Sequence, residues 1–238
     1  MQVTHGTLLD GRVHYAQPVD GYRTGIEPVL LAAAIPARPG QRVMEAGTGA
    51  GAGLLCVLVR VTGLHGVGIE RDSQMADLAR RNAAENGLTP RIEAADVASA
   101  ASFGPVDHAF ANPPWHDPAG SRSTNAARDA AKHLDPGSLA VWIGALSAAI
   151  TPRGTVSLAL PAALAAEAMA LLRHEGLGRI ALLPLWPRTG MAAKIVLVQG
   201  TRGHGCSRVL AGLVLHGEGS GYTDAANAIL RGGEALVI

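Results

Sequence analysis

Asn112-Pro113-Pro114-Trp115 follows the apolar run Val106-Asp107-His108-Ala109-Phe110-Ala111, which reads as a buried strand. Neither proline can donate to a sheet ladder, so the strand must stop at Asn112. Pro113 also pushes Asn112 into an extended conformation. The asparagine is therefore held at the carboxyl end of a strand, the edge at which ligands bind in open α/β sheets. Its side-chain oxygen and the Pro113 carbonyl are two acceptors at fixed spacing. Together they can hold both hydrogens of a planar NH2 group and aim the nitrogen lone pair at an electrophile. That is catalysis by positioning and electrostatics, with no general base needed. Trp115 offers a flat apolar face on which a base or amide plane can stack. An isolated Asn-Pro-Pro is also an ordinary turn, and the stretches upstream decide between the two readings.

Arg42 to Ala46 reads as a strand, and an apolar helix runs from about Leu54 to Val61. Between them lies Glu45-Ala46-Gly47-Thr48-Gly49-Ala50-Gly51-Ala52-Gly53. Clustered glycines let a backbone approach a ligand and aim helix N–H groups at it. Tight helix–sheet packing also selects glycine, and Gly47, Gly49 and Ala52 satisfy the looser dinucleotide fingerprint. The next strand, Gly66 to Glu70, ends in a carboxylate 21 positions after Gly49, the offset of an acid that accepts from ribose hydroxyls. A helix follows from Ser73 to Asn86, stopped by Gly87. Arg91 to Asp96 reads as a third strand, ending in a second carboxylate. Three strand ends thus carry a glycine turn, Glu70 and Asp96, and a fourth carries Asn112. All four on one edge are hard to explain as packing.

On either side of this core the pattern is simpler. Asp10-Gly11 between two short apolar stretches signals an N-terminal hairpin. Pro28 suits the first position of a short helix to Ile35. After Trp115 a polar segment to about Pro136 carries Arg122, Arg128, Lys132 and His133. A helix (139–150), a strand (155–159) and a helix (162–175) continue the alternation. Two strands, 179–185 and 192–198, then follow with only a turn between them. They predict an antiparallel hairpin closing an otherwise parallel sheet. A strand at 208–216 and a helix at 224–230 end the chain. With no repeat and no linker, residues 1–238 read as one α/β domain. It comprises an N-terminal hairpin and short helix (1–40), a core (41–200) and a C-terminal extension (201–238).

Composition narrows the class. The chain of 238 residues is 48% hydrophobic, enough for one full core. Cys56 and Cys206 stand apart without ligand-type neighbours, which argues against a disulfide frame or a metal site and for a reducing compartment. No signal pattern opens the chain, and Pro161, Glu167 and Arg60 interrupt the apolar stretches before spanning length, so no membrane association is expected and the reading is cytoplasmic. A net charge of +1 is low for a dedicated nucleic-acid binder. An RNA partner would have to meet a local basic patch. Oligomeric state is not readable from the pattern.

These motifs resemble a class I S-adenosylmethionine-dependent methyltransferase, and Asn-Pro-Pro with an aromatic resembles the branch that methylates adenine N6, cytosine N4 or a glutamine amide. Gly21 to Glu27, Gly221-Tyr222-Thr223 and Ile229 to Gly233 extend the resemblance to the tRNA1(Val) (adenine-37-N6)-methyltransferase-like family. The resemblance implies a Rossmann-like seven-stranded, mostly parallel sheet with helices on both faces. It implies S-adenosyl-L-methionine as cofactor and tRNA as partner. Glu45, Gly47, Gly49 and Gly51 would line the methionine and ribose part, Glu70 the ribose hydroxyls, and Asp96 the adenine amine. Asn112, which would also contact the cofactor, and Pro113 would hold the target NH2, Pro114 would belong to the same catalytic turn, and Trp115 would stack on the base. Arg23 and Glu27 would close the cofactor site. The family commonly has aspartate at the places of Glu27 and Glu45, and an aromatic at that of Thr24. Two other readings stay open: a protein glutamine-amide N5-methyltransferase, for which the expected helical substrate domain is missing, and a nucleotide-binding Rossmann module without transfer activity.

Overall fold

A computed structural model describes residues 1–20, 23–114 and 138–238. The hairpin pairs β1 (Val3–Leu8) with β2 (Val13–Pro18), Leu8 opposite Val13. Its turn places Leu9, Asp10 and Gly11 at positive φ (50°, 53° and 88°), as a tight Asp-Gly connection requires. Helix α1 (Glu27–Ala34) has Pro28 in its first turn and is buried almost throughout.

The central sheet contains β3 (Arg42–Ala46), β4 (His65–Glu70), β5 (Arg91–Ala94), β6 (Val106–Ala111), β7 (Ile150–Pro161), β8 (Leu177–Trp186) and β9 (Ile195–Arg202). Their order is β8-β9-β7-β6-β3-β4-β5. Strands β3 to β7 run parallel, and β9 lies antiparallel between β7 and β8. This is the seven-stranded, mostly parallel Rossmann-like sheet that the sequence resemblance implies. Two two-residue strands, β10 (Arg208–Val209) and β11 (Leu213–Val214), add to the free edge of β8, giving nine strands in all. They replace the single strand expected at 208–216. Gly212 (φ +87°) breaks it, and a Cβ there would come within 2.5 Å of the Pro184 carbonyl oxygen.

Helices cover both faces. Helices α1, α2 (Ala52–Arg60) and α3 (Ser73–Glu85) pack with the hairpin on one. Helices α4 (Ser138–Ala149) and α5 (Ala165–His174) pack on the other. Strand residues alternate between the faces, Val43 and Phe110 to the first, Met44 and Ala109 to the second. Strands buried on both sides read as continuous apolar runs, which is why period-2 alternation is absent from the sequence. Helix α6 (Asp224–Leu230), capped by Thr223, touches α1.

Two asparagine side chains tie the hairpin to α3: Asn86 accepts from the His14 N–H (2.8 Å) and donates to the His14 carbonyl (2.7 Å), and Asn82 is the buried one of the two. Asn82 on α3 is 1% exposed. Its amide donates to the Ala16 and Ala50 carbonyls (2.8 and 2.9 Å), and its oxygen accepts from the Ala16 N–H (3.0 Å). One amide thus ties β2, α3 and the glycine turn together. Asn82→Ala leaves three buried backbone groups without this partner, each costing ~1–3 kcal/mol. The expected loss is at least ~3 kcal/mol, read as a lower urea midpoint at unchanged slope.

Boundary differences are local. Strand β5 ends at Ala94, so Asp96 is not a strand end: its Oδ1 accepts from the Ala98 N–H at 2.9 Å and caps a 3-10 turn over Val97–Phe103. Strand β7 begins at Ile150, and β9 only at Ile195, because the turn 187–194 is longer than expected. The stretch 162–175 opens as a 3-10 turn before α5.

Candidate active site

The strand order reverses between β3 and β6, the switch point at which open α/β sheets bind ligands. The register there is informative. Ala46 pairs with Ala111 and also with Ile69, while Glu70 pairs with Ala94. Gly47 and Asn112 therefore leave the sheet side by side, with Glu70 one strand away and Asp96 two residues past its own strand. At ~4.8 Å per strand the four sites span ~14 Å of one edge. Pro113 is buried, and Asn112 and Pro114 are half-buried. Trp115, Arg122, Arg128, Lys132 and His133 lie outside the described residues, as do Gly21 and Tyr22.

The glycine turn bends through three positive-φ residues, Gly47 (67°), Gly49 (55°) and Gly51 (94°), which side chains disfavour. Glu70 fastens it: Oε2 accepts from the Gly49 N–H (2.9 Å) and Oε1 from the Asp72 N–H (2.9 Å). Each carboxylate oxygen has a second lone pair for a hydroxyl.

Glu45 is placed differently from the expectation that it lines the ligand. It is 3% exposed and sits behind the turn. Its Oε2 accepts from the Thr48 hydroxyl (2.6 Å) and the Leu54 N–H (2.8 Å). A Cβ on Gly53 would overlap its Oε1. Burial raises its carboxyl from 4.5 to about 8, the two hydrogen bonds opposing and the Glu70 charge adding. Arg23 is exposed, and its guanidinium reaches the Thr4 hydroxyl of β1 (3.4 Å). Glu27 opens α1 with its carboxylate against Gly25.

His108, on the Asn112 strand, is a base only in name. Thr155 Oγ1 (2.8 Å) and Gln41 Oε1 (3.1 Å) hold its two ring nitrogens, and burial lowers it to about 4. It lies four residues, ~13 Å, back along the strand from Asn112.

These two groups set a pH dependence with opposed signs. His108 takes up its proton more readily unfolded, so its contribution to stability rises from about pH 4 to 6.5 and is then constant. Glu45 holds its proton more tightly folded, so its contribution falls from about pH 4.5 to 8. Of these two groups, Glu45 alone contributes a slope from pH 6.5 to 8, ~2 kcal/mol in all. The melting temperature is expected to drop by ~4–8 °C across that interval. In Glu45→Gln this drop should vanish; an equal drop in the variant would assign it elsewhere.

Sequence reading passed over Thr48, Asn82 and Trp142. Trp142 lies on α4, on the face of the buried Leu139, Ile143 and Leu146. A Cβ on Gly47 would approach its Cη2 to 2.7 Å. Its i+3 spacing from Leu139 marks it as core, and only the scarcity of aromatics in this chain singles it out.

The sheet order, the glycine turn and the carboxylate after it define a class I methyltransferase. Residues 26–146, just over half of the chain, match the methyltransferase small domain family. The chain belongs to that family, whose methyl donor is S-adenosyl-L-methionine. It is 29% identical over 205 residues to a tRNA1(Val) (adenine(37)-N6)-methyltransferase of Aeromonas salmonicida, covering 85% of this chain and 86% of that one. Among solved structures it resembles a predicted O-methyltransferase from Agrobacterium tumefaciens (TM-score 0.74, 23% identity, 89% of this chain and 98% of that one). It also resembles a Thermus thermophilus 16S rRNA N2 G1207 methyltransferase in complex with AdoMet and guanosine (TM-score 0.57, 20% identity, 84% and 50%). Among the described residues, no helix is long and apolar enough to cross a membrane, and no group of three or more His, Cys, Asp and Glu is placed to hold a metal.

Proposed function

We infer that the protein methylates the exocyclic N6 amine of an adenine in tRNA. The observation that carries this is the pairing of Ala46 with Ala111, which sets the donor-side turn at Gly47 beside the acceptor-side Asn112. The cofactor fits the edge. The positive-φ turn leaves room for close backbone approach, Glu70 keeps lone pairs for the ribose hydroxyls, and Asp96 lies further along for the adenine amine. Gly47, Gly49 and Gly51 would face the methionine and ribose part, with Glu45 and Thr48 bracing them from behind. Arg23 and Glu27 stay assigned to the N-terminal rim. S-adenosyl-L-methionine supplies an electrophilic methyl on a sulfonium.

Asn112 Oδ1 and the Pro113 carbonyl would accept the two N–H bonds of the amine. This turns its lone pair out of conjugation and along the line of attack. With the cofactor bound, the methyl group would pass from its sulfur to the amine nitrogen held there, and that nitrogen would release one N–H proton to water. His108, neutral and distant, takes no part. A nucleobase, splayed from a loop at modest unstacking cost, would stack on Trp115.

The choice of tRNA rests on the named relatives, 27–29% identical over 85% of the chain, and on charge at the same edge. The turn 187–194 emerges there, since Ile195 pairs with both Pro161 and Leu185. It carries Arg188 and Lys194, cations suited to phosphate. A tRNA acceptor is consistent with a cytoplasmic protein. Labelled S-adenosylmethionine offered with unmodified tRNA transcripts, and separately with protein extract, tests the acceptor class. Label is expected in RNA; label confined to protein would move the acceptor to a glutamine amide.

A further inference from the structure

The strand register brackets where the reacting end of the methyl donor must lie. Glu70 ends β4 and Asn112 follows β6, with β3 between them. With the ribose at Glu70 and the acceptor amine at Asn112, a site assignment on which this inference rests, the sulfur joining them lies over the end of β3. That end is Gly47.

The residue against Gly47 is Trp142. A Cβ on Gly47 would stand 2.7 Å from its Cη2 and 3.3 Å from its Cζ3, so glycine is required by the indole as well as by its φ of +67°. The neighbours of Trp142 on α4, Leu139, Ile143 and Leu146, are fully enclosed, whereas Trp142 is only half-buried. It therefore packs against the turn without being fully enclosed. A tryptophan face attracts a cation through its quadrupole, more strongly as water is excluded. The donor carries a positive sulfonium; the product, S-adenosylhomocysteine, has a neutral thioether at the same atom.

We propose that the Trp142 indole is the aromatic wall of the methyl-donor site and sets its preference for the sulfonium cofactor over the thioether product. It limits product inhibition by making the reacted cofactor the weaker ligand. It also couples α4, the helix that follows the Asn112 segment, to occupancy of the glycine turn.

The test is calorimetric titration of full-length protein with S-adenosylmethionine and with S-adenosylhomocysteine, each run on wild type, Trp142→Leu and Trp142→Phe. Trp142→Leu should weaken S-adenosylmethionine about tenfold and S-adenosylhomocysteine no more than about threefold. Trp142→Phe, which keeps an aromatic face, should restore most of the preference. The ratio of the two affinities is the readout, because partial unfolding lowers binding of both ligands alike. Equal weakening of both, or none, overturns the role of Trp142 while leaving the site assignment standing. A wild type that binds neither ligand overturns the assignment itself.

Discussion

Asn112→Ala is expected to lower kcat by about 10²–10³-fold while leaving the affinity for S-adenosylhomocysteine within about twofold. The magnitude is that of removing one preorganised hydrogen-bonding group aimed at developing charge. The variant loses the side-chain acceptor and keeps the Pro113 carbonyl, so the amine is held by one contact and its lone pair stays conjugated with the ring. Cofactor binding is spared because the glycine turn and Glu70 are built by β3 and β4, whereas Asn112 follows the neighbouring strand β6. The fold is spared because the prolines that end β6 remain. Single-turnover rates at saturating tRNA, beside calorimetric titration, separate the two effects. A variant with undiminished rate would remove Asn112 from the chemistry.

Glu70→Ala should have the opposite signature. Its carboxylate accepts from the Gly49 and Asp72 N–H groups at 2.9 Å each, and in the proposed complex from the ribose hydroxyls as well. Loss of two hydrogen bonds to a charged group, at ~1.5–3 kcal/mol each, predicts an S-adenosylhomocysteine Kd raised by roughly 10²–10³-fold or more. Part of that loss acts through the turn: without Glu70 the Gly49 N–H loses the acceptor that holds its backbone at positive φ. At saturating cofactor kcat should fall far less than in Asn112→Ala. An unchanged Kd would show that the ribose binds elsewhere along the edge.

Much of this site was legible because strand ends are marked by residues with few alternatives. Two consecutive prolines stop β6 within one residue of Ala111, where the structure ends it, and three positive-φ glycines mark the turn after β3. Acidic residues were less faithful guides. The apolar run up to Asp96 conceals a strand that stops at Ala94, because an aspartate able to cap a following turn reads the same as one that ends a strand. Glu45 and Glu70 look alike in sequence. Only the packing of Gly53 and Thr48 turns the first inward to brace the turn, while the second faces the edge. Trp142 was hidden by its helix, since an aromatic at i+3 from a leucine is indistinguishable from core until its neighbour proves to be Gly47. The terminal strands failed for a different reason. Sequence periodicity over 208–216 ignores Gly212, whose close approach to Pro184 splits one expected strand into β10 and β11.

The central claim, an amine clamp at Asn112 acting on adenine, is tested most directly by the position of the methyl group. tRNA transcripts reacted with S-adenosylmethionine and the protein are digested, and the nucleosides are weighed by mass spectrometry against standards. The account predicts N6-methyladenosine, formed by the wild type and absent with Asn112→Ala. A methyl group on a ribose 2′-oxygen, a ring carbon or an endocyclic nitrogen would contradict it, because none of these offers two N–H bonds for Asn112 and Pro113 to hold.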